Sequence, residues 1–324
     1  MRSFPFFLLC LAVAAAVFLA ARLTDNGYVF FAGYVVLQYV VMAVGWNILG
    51  GYTGYVNFGT SGFFALGAYC TVALEKLVPL PLPVVMLAGG VVSGALGLGM
   101  GYLTLRLRGA FFSIATLAMA VVAQTFMVNW SFVGGSAGAF VIRPPTTEYF
   151  AIDYIRYLFL LMLGLCVIAV AVARLIERSR LGDGFAAIRD DELAAEASGV
   201  PTLRLKLFAT ALSGAFLGMA GAPLPFYVTY LDPPSAFSLA YAVNTIAMPL
   251  IGGTASWPGP LIGAVLIATL QQVATVTISS AVNLLIVGLV LVGFVIAAPR
   301  GIIGWFGLDR RARAHPRRLV PGRP

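Results

Sequence analysis

The chain has 324 residues, of which 60% are apolar and only 10% charged, with 36 glycines and a formal net charge of +8. An ordinary soluble domain carries roughly 25% charged residues, so a cytosolic globule is excluded, as are a disordered chain and a scaffold built on the scattered Cys10, Cys70 and Cys166. Nucleic acid is excluded as a partner because the basic residues stand at the ends of apolar runs, the placement that orients a protein in a bilayer, rather than on one face of a domain.

A charged side chain at the centre of a spanning helix costs about 2.5 to 3.5 kcal/mol, so charge-free intervals mark where the bilayer can be crossed. The first, 3–21, follows Arg2; with small residues near Ala20 it shares features of a secretory signal, but it reads as a crossing. The interval 26–74 is long enough for two crossings, and near 50–62 it contains GGYTGYVNFGTSG, an uncomfortable sequence for a straight helix. Such a stretch is either a re-entrant or broken helix lining a path or a turn at the inner face. Under the first reading Tyr52, Thr53, Asn57, Phe58, Gly59 and Thr60 line the path, joined by Asn244 farther along.

The intervals 77–105, 109–142 and 157–173 supply one crossing each. Gly90 with Gly94, Gly97 with Gly101, Gly214 with Gly218 and Gly259 with Gly263 are spaced four apart, and read as seams where helices approach closely. Between spans, the one long polar segment is 177–206. There Asp183 is expected to cap a turn bearing Phe185 and Ile188, and Asp191 a short helix of Glu192, Ala194, Ala195 and Glu196 that ends at Gly199 before Pro201. Helices so short are marginal alone in water, and the balanced charge argues against a polybasic lipid anchor, so docking on a protein is expected. One more crossing follows over 207–231 and three over 233–299, with a second glycine-rich interruption, GGTASWPGPLIG, near 250–263.

The fold expected is an all-α polytopic membrane protein with about ten transmembrane helices. Both termini are cytoplasmic, because this parity leaves only Arg22, Lys76, Arg143 and Arg156 outside. Residues 1–299 form a single transmembrane domain with the cytoplasmic loop 177–206, and 300–324 a basic cytoplasmic tail.

Chemistry is sparse. The single histidine, His315, lies in the tail, no acidic pair lies within the spans, and no G-x-x-x-x-G-K loop is present, so no catalytic residue, metal site or nucleotide site is expected on this chain. Concentrating a solute a thousandfold takes about 4 kcal/mol, so an active transporter built from this chain draws its energy from a partner.

The loop resembles that of the permeases of bacterial ATP-binding-cassette importers, whose pattern of two alanines and a later glycine is matched by Ala194, Ala195 and Gly199. Leu193 stands where that pattern has Glu, which is displaced to Glu192. Four stretches resemble the branched-chain amino acid permease family (LivM type) more specifically, in family order: 51–69, 105–118, 187–222 and 250–264. The resemblance implies a permease domain in a bacterial inner membrane, bound to a second permease, two ATP-binding subunits carrying ATP and Mg, and an extracytoplasmic solute-binding protein. It implies inward movement of branched-chain or other hydrophobic amino acids by alternating access, with no cofactor on this chain. Tyr55 and Thr60 stand where the family often has Gln and His, which leaves a urea or short-amide importer of the same architecture as an alternative. A stand-alone channel or ion-coupled carrier would transport without nucleotide, and a polytopic membrane enzyme would need clustered His, Asp or Glu.

Overall fold

In the hydrocarbon core no water receives backbone N–H and C=O groups, so long apolar segments pair them internally as helices. The computed structural model describes residues 27–78, 80–105, 107, 109–144, 153–277 and 301–305, besides the isolated positions 15, 17, 19, 288, 289 and 293. Helices α1 (Gly27–Thr53), α2 (Thr60–Leu77), α3 (Leu82–Thr104) and α4 (Ala110–Asn129) lead to two 3-10 turns and a two-residue strand, β1 (Ala139–Phe140). Then come α5 (Tyr154–Glu177), α6 (Arg180–Asp190), α7 (Glu192–Ala197), α8 (Thr202–Gly221) and α9 (Leu224–Val228). The strand β2 (Tyr230–Leu231) precedes α10 (Pro233–Ala236), α11 (Leu239–Gly252), α12 (Pro258–Thr277) and α13 (Gly301–Trp305).

Seven described segments are long and apolar enough to cross a membrane, namely α1, α3, α4, α5, Thr202–Val228, Pro233–Gly252 and Pro258–Thr275. The interval 26–74 holds α1 and most of α2; α2 has 18 residues but is more polar, with Glu75 and Lys76 in its last turn. The expected crossing at 3–21, the last of the three within 233–299 and the basic tail lie outside the described residues. Charge-free intervals mark lipid rather than helix ends, because helical hydrogen bonding continues past the bilayer edge. Thus α5 takes in Arg156 and Arg174, and α8 starts at Thr202 and takes in Arg204 and Lys206, so the loop ends before Lys206.

Helix α1 is the hub: from Val40 to Thr53 every residue is buried, against α5, α8, α11 and α12. The largest buried side chains include Tyr34, Trp46, Phe64, Tyr69 and Phe112. Buried polar groups take up backbone carbonyls, as when Gln38 Nε2 donates to Ala220 O at 3.1 Å and Thr71 Oγ1 to Ala222 O at 2.7 Å.

The glycine pairs form seams. A Cβ on Gly90 would lie 2.6 Å from Met219 Cγ, on Gly94 3.1 Å from Ala211 O and on Gly97 3.0 Å from Thr210 O, so α3 and α8 meet almost backbone to backbone. Gly214 faces Ser93 O across the same seam, at 2.9 Å from a built Cβ, and Gly259 and Gly263 face carbonyls at the end of α11. Where lipid supplies no hydrophobic drive, this proximity supplies the packing energy.

Segments that charge parity assigns to one side meet in space. At one end β1 pairs antiparallel with β2, Ala139 opposite Leu231, and Lys76 Nζ donates to Phe132 O at 2.8 Å. That short strand pair is an addition to the all-α expectation; two residues carry too little pattern to be read. At the other end the 54–59 break, Leu105, the loop and the 253–257 break converge.

Gly94→Leu is expected to overfill the α3–α8 seam and cost about 1–3 kcal/mol. Thermal unfolding in detergent should show a clear drop, whereas Gly99→Ala, whose Cβ meets nothing within 4 Å, should match the parent.

Candidate functional site

The site is built where α1 ends and α2 begins. Residues 54–59 are not helical, so their backbone groups need other partners, and side chains provide them. Trp46 Nε1 donates to Asn57 O at 2.9 Å, Ser113 Oγ to Val56 O at 2.8 Å, and Thr116 Oγ1 accepts from Phe58 N at 3.1 Å. Asn57 Oδ1 accepts from Gly59 N at 2.8 Å. Gly54, at φ +80, places the chain against Arg189 of α6, where a Cβ would lie 3.1 Å from Arg189 Cγ.

The loop folds onto this break as two short helices. The preceding helix, α6, starts at Arg180 behind Ser179, so Asp183 lies in its first turn and does not cap it. Phe185 and Ile188 are buried and pin α6 to the bundle. Asp191 caps α7 as expected, its carboxylate accepting from Ala194 N at 3.1 Å. Gly199, at φ +83, closes α7: its N–H donates to Glu196 O and that of Val200 to Ala195 O, a left-handed ending that suits glycine. Ala195 faces inward, whereas Ala194, Glu196 and Gly199 are exposed, and Glu196 Oε1 accepts from Thr202 Oγ1 at 2.6 Å.

Glu192 points into the protein. Its Oε1 is 2.5 Å from Lys206 Nζ, and its Oε2 accepts the Tyr55 hydroxyl proton at 2.5 Å. The Lys206 side chain is 4% exposed and that of Glu192 12%. Lys206 Nζ also donates to Tyr55 Oη and to Leu105 O, both at 3.2 Å, so all three of its N–H groups have acceptors. One ammonium thus joins the first glycine-rich break, the end of α3, the loop helix and α8. At the second break, Trp257 N donates to Glu177 Oε2 at 2.7 Å, and the Arg174 guanidinium lies 5.6 Å from the Trp257 ring centroid. The loop therefore holds both breaks by a carboxylate.

The other residues singled out in the sequence are placed as follows. Tyr52, Thr53, Asn57 and Thr60 are buried; Tyr52 Oη donates to Ala173 O at 3.3 Å and Thr53 Oγ1 to Leu49 O at 2.6 Å. Asn57 Nδ2 and Thr60 Oγ1 are buried without a hydrogen-bond partner, and Gly59 abuts Thr116 O. Asn244 is elsewhere: it accepts from Gln271 Nε2 at 3.0 Å and donates to Tyr39 Oη at 3.4 Å, and Tyr39 is roughly 20 Å along α1 from Tyr52. Tyr55, Leu193, Lys206, Ser113 and Thr116 were not among the site residues proposed from sequence. Tyr55 and Leu193 stood out as departures from the family pattern and Lys206 as a lysine at the edge of a charge-free interval, whereas Ser113 and Thr116 carried no signal of their own.

Removing one member of a buried ion pair strands the other charge, at about 3–5 kcal/mol, whereas replacing both by apolar residues is far milder. Lys206→Met should therefore lower thermal stability strongly, and Lys206→Met/Glu192→Leu should recover most of the loss, a non-additivity that a double-mutant unfolding cycle measures.

The family described as branched-chain amino acid transport system, permease component, matches residues 27–295. The chain is 28% identical over 289 residues to the high-affinity branched-chain amino acid transport system permease protein LivM of Salmonella typhimurium, covering 82% of this chain and 67% of that protein. It is 27% identical over the same length and shares to LivM of Escherichia coli. It is 25% identical over 290 residues to the probable branched-chain amino acid transport permease protein LivH of Methanocaldococcus jannaschii, covering 84% of this chain and 90% of that one. No solved structure matches the chain at a significant level. With most of its length matched and its membrane helices in place, the chain belongs to the branched-chain amino acid transport permease family.

Proposed function

We propose that this chain is the membrane-spanning permease subunit of an ATP-binding-cassette importer in a bacterial inner membrane. It moves branched-chain or other hydrophobic amino acids inward by alternating access, and takes its energy from two partner ATPases. A second permease completes the path, and an extracytoplasmic binding protein delivers the solute. The observation that carries this reading is a family member whose loop helices are seated where both glycine-rich breaks converge.

The geometry divides the loop into two faces. Phe185, Ile188 and Ala195 face the bundle and hold the loop in place. Leu193, Ala194 and Ala197 form the outward face of α7, and Leu193 is 61% exposed. An exposed leucine flanked by alanines, on a helix too short to stand alone, suits an apolar cleft on a protein partner. Asp191 and Gly199 fix the ends of that face and Glu196 stiffens it through Thr202. Tyr52, Thr53, Asn57, Phe58, Gly59 and Thr60 flank the path at the first break, and Asn244 flanks it deeper in the bundle.

Proteoliposomes holding the chain with its second permease and ATPases should accumulate leucine from the binding-protein side only when ATP is supplied. Accumulation without nucleotide would identify a carrier instead, and uptake of urea in place of leucine would reassign the solute. Leu193→Asp should abolish co-purification of the ATPases and leave the thermal unfolding of the chain unchanged; retained ATPases would remove α7 from the docking surface.

A further inference from the structure

We infer that Tyr55, Glu192 and Lys206 form a buried latch that carries movement of the loop into the spans, and that all three are positioning residues for transport rather than contacts to the ATPases. The inference rests on the permease reading and assigns its transmission step to named atoms. A Glu in the first turn of a docking helix is an obvious candidate for a contact with the docked partner. Here the carboxylate is turned away from that face, with one oxygen on Lys206 Nζ and the other on the Tyr55 hydroxyl.

The arrangement constrains motion. Helix α7 has six residues, and its inward face offers Ala195 and the Glu192 carboxylate. If α7 shifts, it either takes Tyr55 and the start of α8 along or leaves a carboxylate and an ammonium apart in a water-poor site, the costlier course. Tyr55 follows Gly54, whose left-handed backbone joins α1 to the break, so a pull on the phenol acts where the chain is not helical. Lys206 Nζ adds Leu105 O to the same unit, and the end of α3 moves with it. Glu177, at the start of the loop, grips Trp257 N in the second break, so displacement of the loop reaches both interruptions through carboxylates.

The test uses the complete importer in proteoliposomes, carrying Tyr55→Phe, Glu192→Gln, Lys206→Met or the exchange Glu192→Lys/Lys206→Glu. Three quantities are read: ATPase retained on purification, ATP hydrolysed, and leucine taken up. Tyr55→Phe and Glu192→Gln should retain the ATPases and their hydrolysis but move about tenfold less leucine per ATP, and the exchange should recover part of that ratio. A purely structural pair would lower the amount of folded importer and leave the ratio alone, which would overturn the latch. Loss of the ATPases from Glu192→Gln would overturn it too, by putting Glu192 on the docking face. If Lys206→Met fails to fold, Tyr55→Phe, which removes one hydroxyl, decides alone. A wild-type importer that hydrolyses ATP without moving any solute would refute the permease reading itself, a result distinct from a changed ratio in the variants.

Discussion

An ammonium held inside the end of a lipid-embedded bundle has to place each of its N–H groups on protein, and Lys206 does so on Glu192, Tyr55 and Leu105. Those three acceptors come from the loop, the first break and the end of α3. A single desolvated charge therefore ties four elements together at this end of the molecule: the loop, the first break, the end of α3 and α8. The break itself obeys the same constraint, since the side chains of Trp46, Ser113 and Thr116 pair its non-helical backbone.

Away from this end the structure is governed by proximity rather than by charge. Helix α8 lies against α3 and α2 through glycines whose missing side chains let carbonyls approach the opposing helix. Such seams lock one packing in place, whereas at the two breaks the chain is held by single side-chain contacts such as Glu192 with Tyr55 and Glu177 with Trp257. The transmission proposed for the latch needs this combination of closely packed helices and two tethered interruptions.

Much of this was legible in the sequence because membranes impose simple rules. Intervals without charge located the helices, the parity of Arg and Lys grouped the loops that meet at each end, and Asp191 and Gly199 bounded α7. Sidedness within the loop was harder to read. Phe185 and Ile188 are apolar because they face the bundle, and the outward face belongs to Leu193, the residue that departs from the family pattern. Asp183 has the right chemistry for a cap, but tertiary packing starts α6 a turn earlier. The pairing of Tyr55 with Glu192 spans 137 positions, and no local spacing announces it. Asn244 shares polarity with the first break but not its location, which only the path of α1 could reveal.

Everything proposed for the loop depends on its facing the compartment that holds the nucleotide. The direct measurement is sided labelling with a membrane-impermeant maleimide, after Cys10, Cys70 and Cys166 are replaced and one cysteine is introduced as Ser198→Cys, at the end of α7, or Ser136→Cys, in the turn before β1. Ser198→Cys should react only in inside-out vesicles and Ser136→Cys only in intact cells. Labelling of Ser198→Cys from outside would place the loop on the wrong side of the membrane and contradict the account.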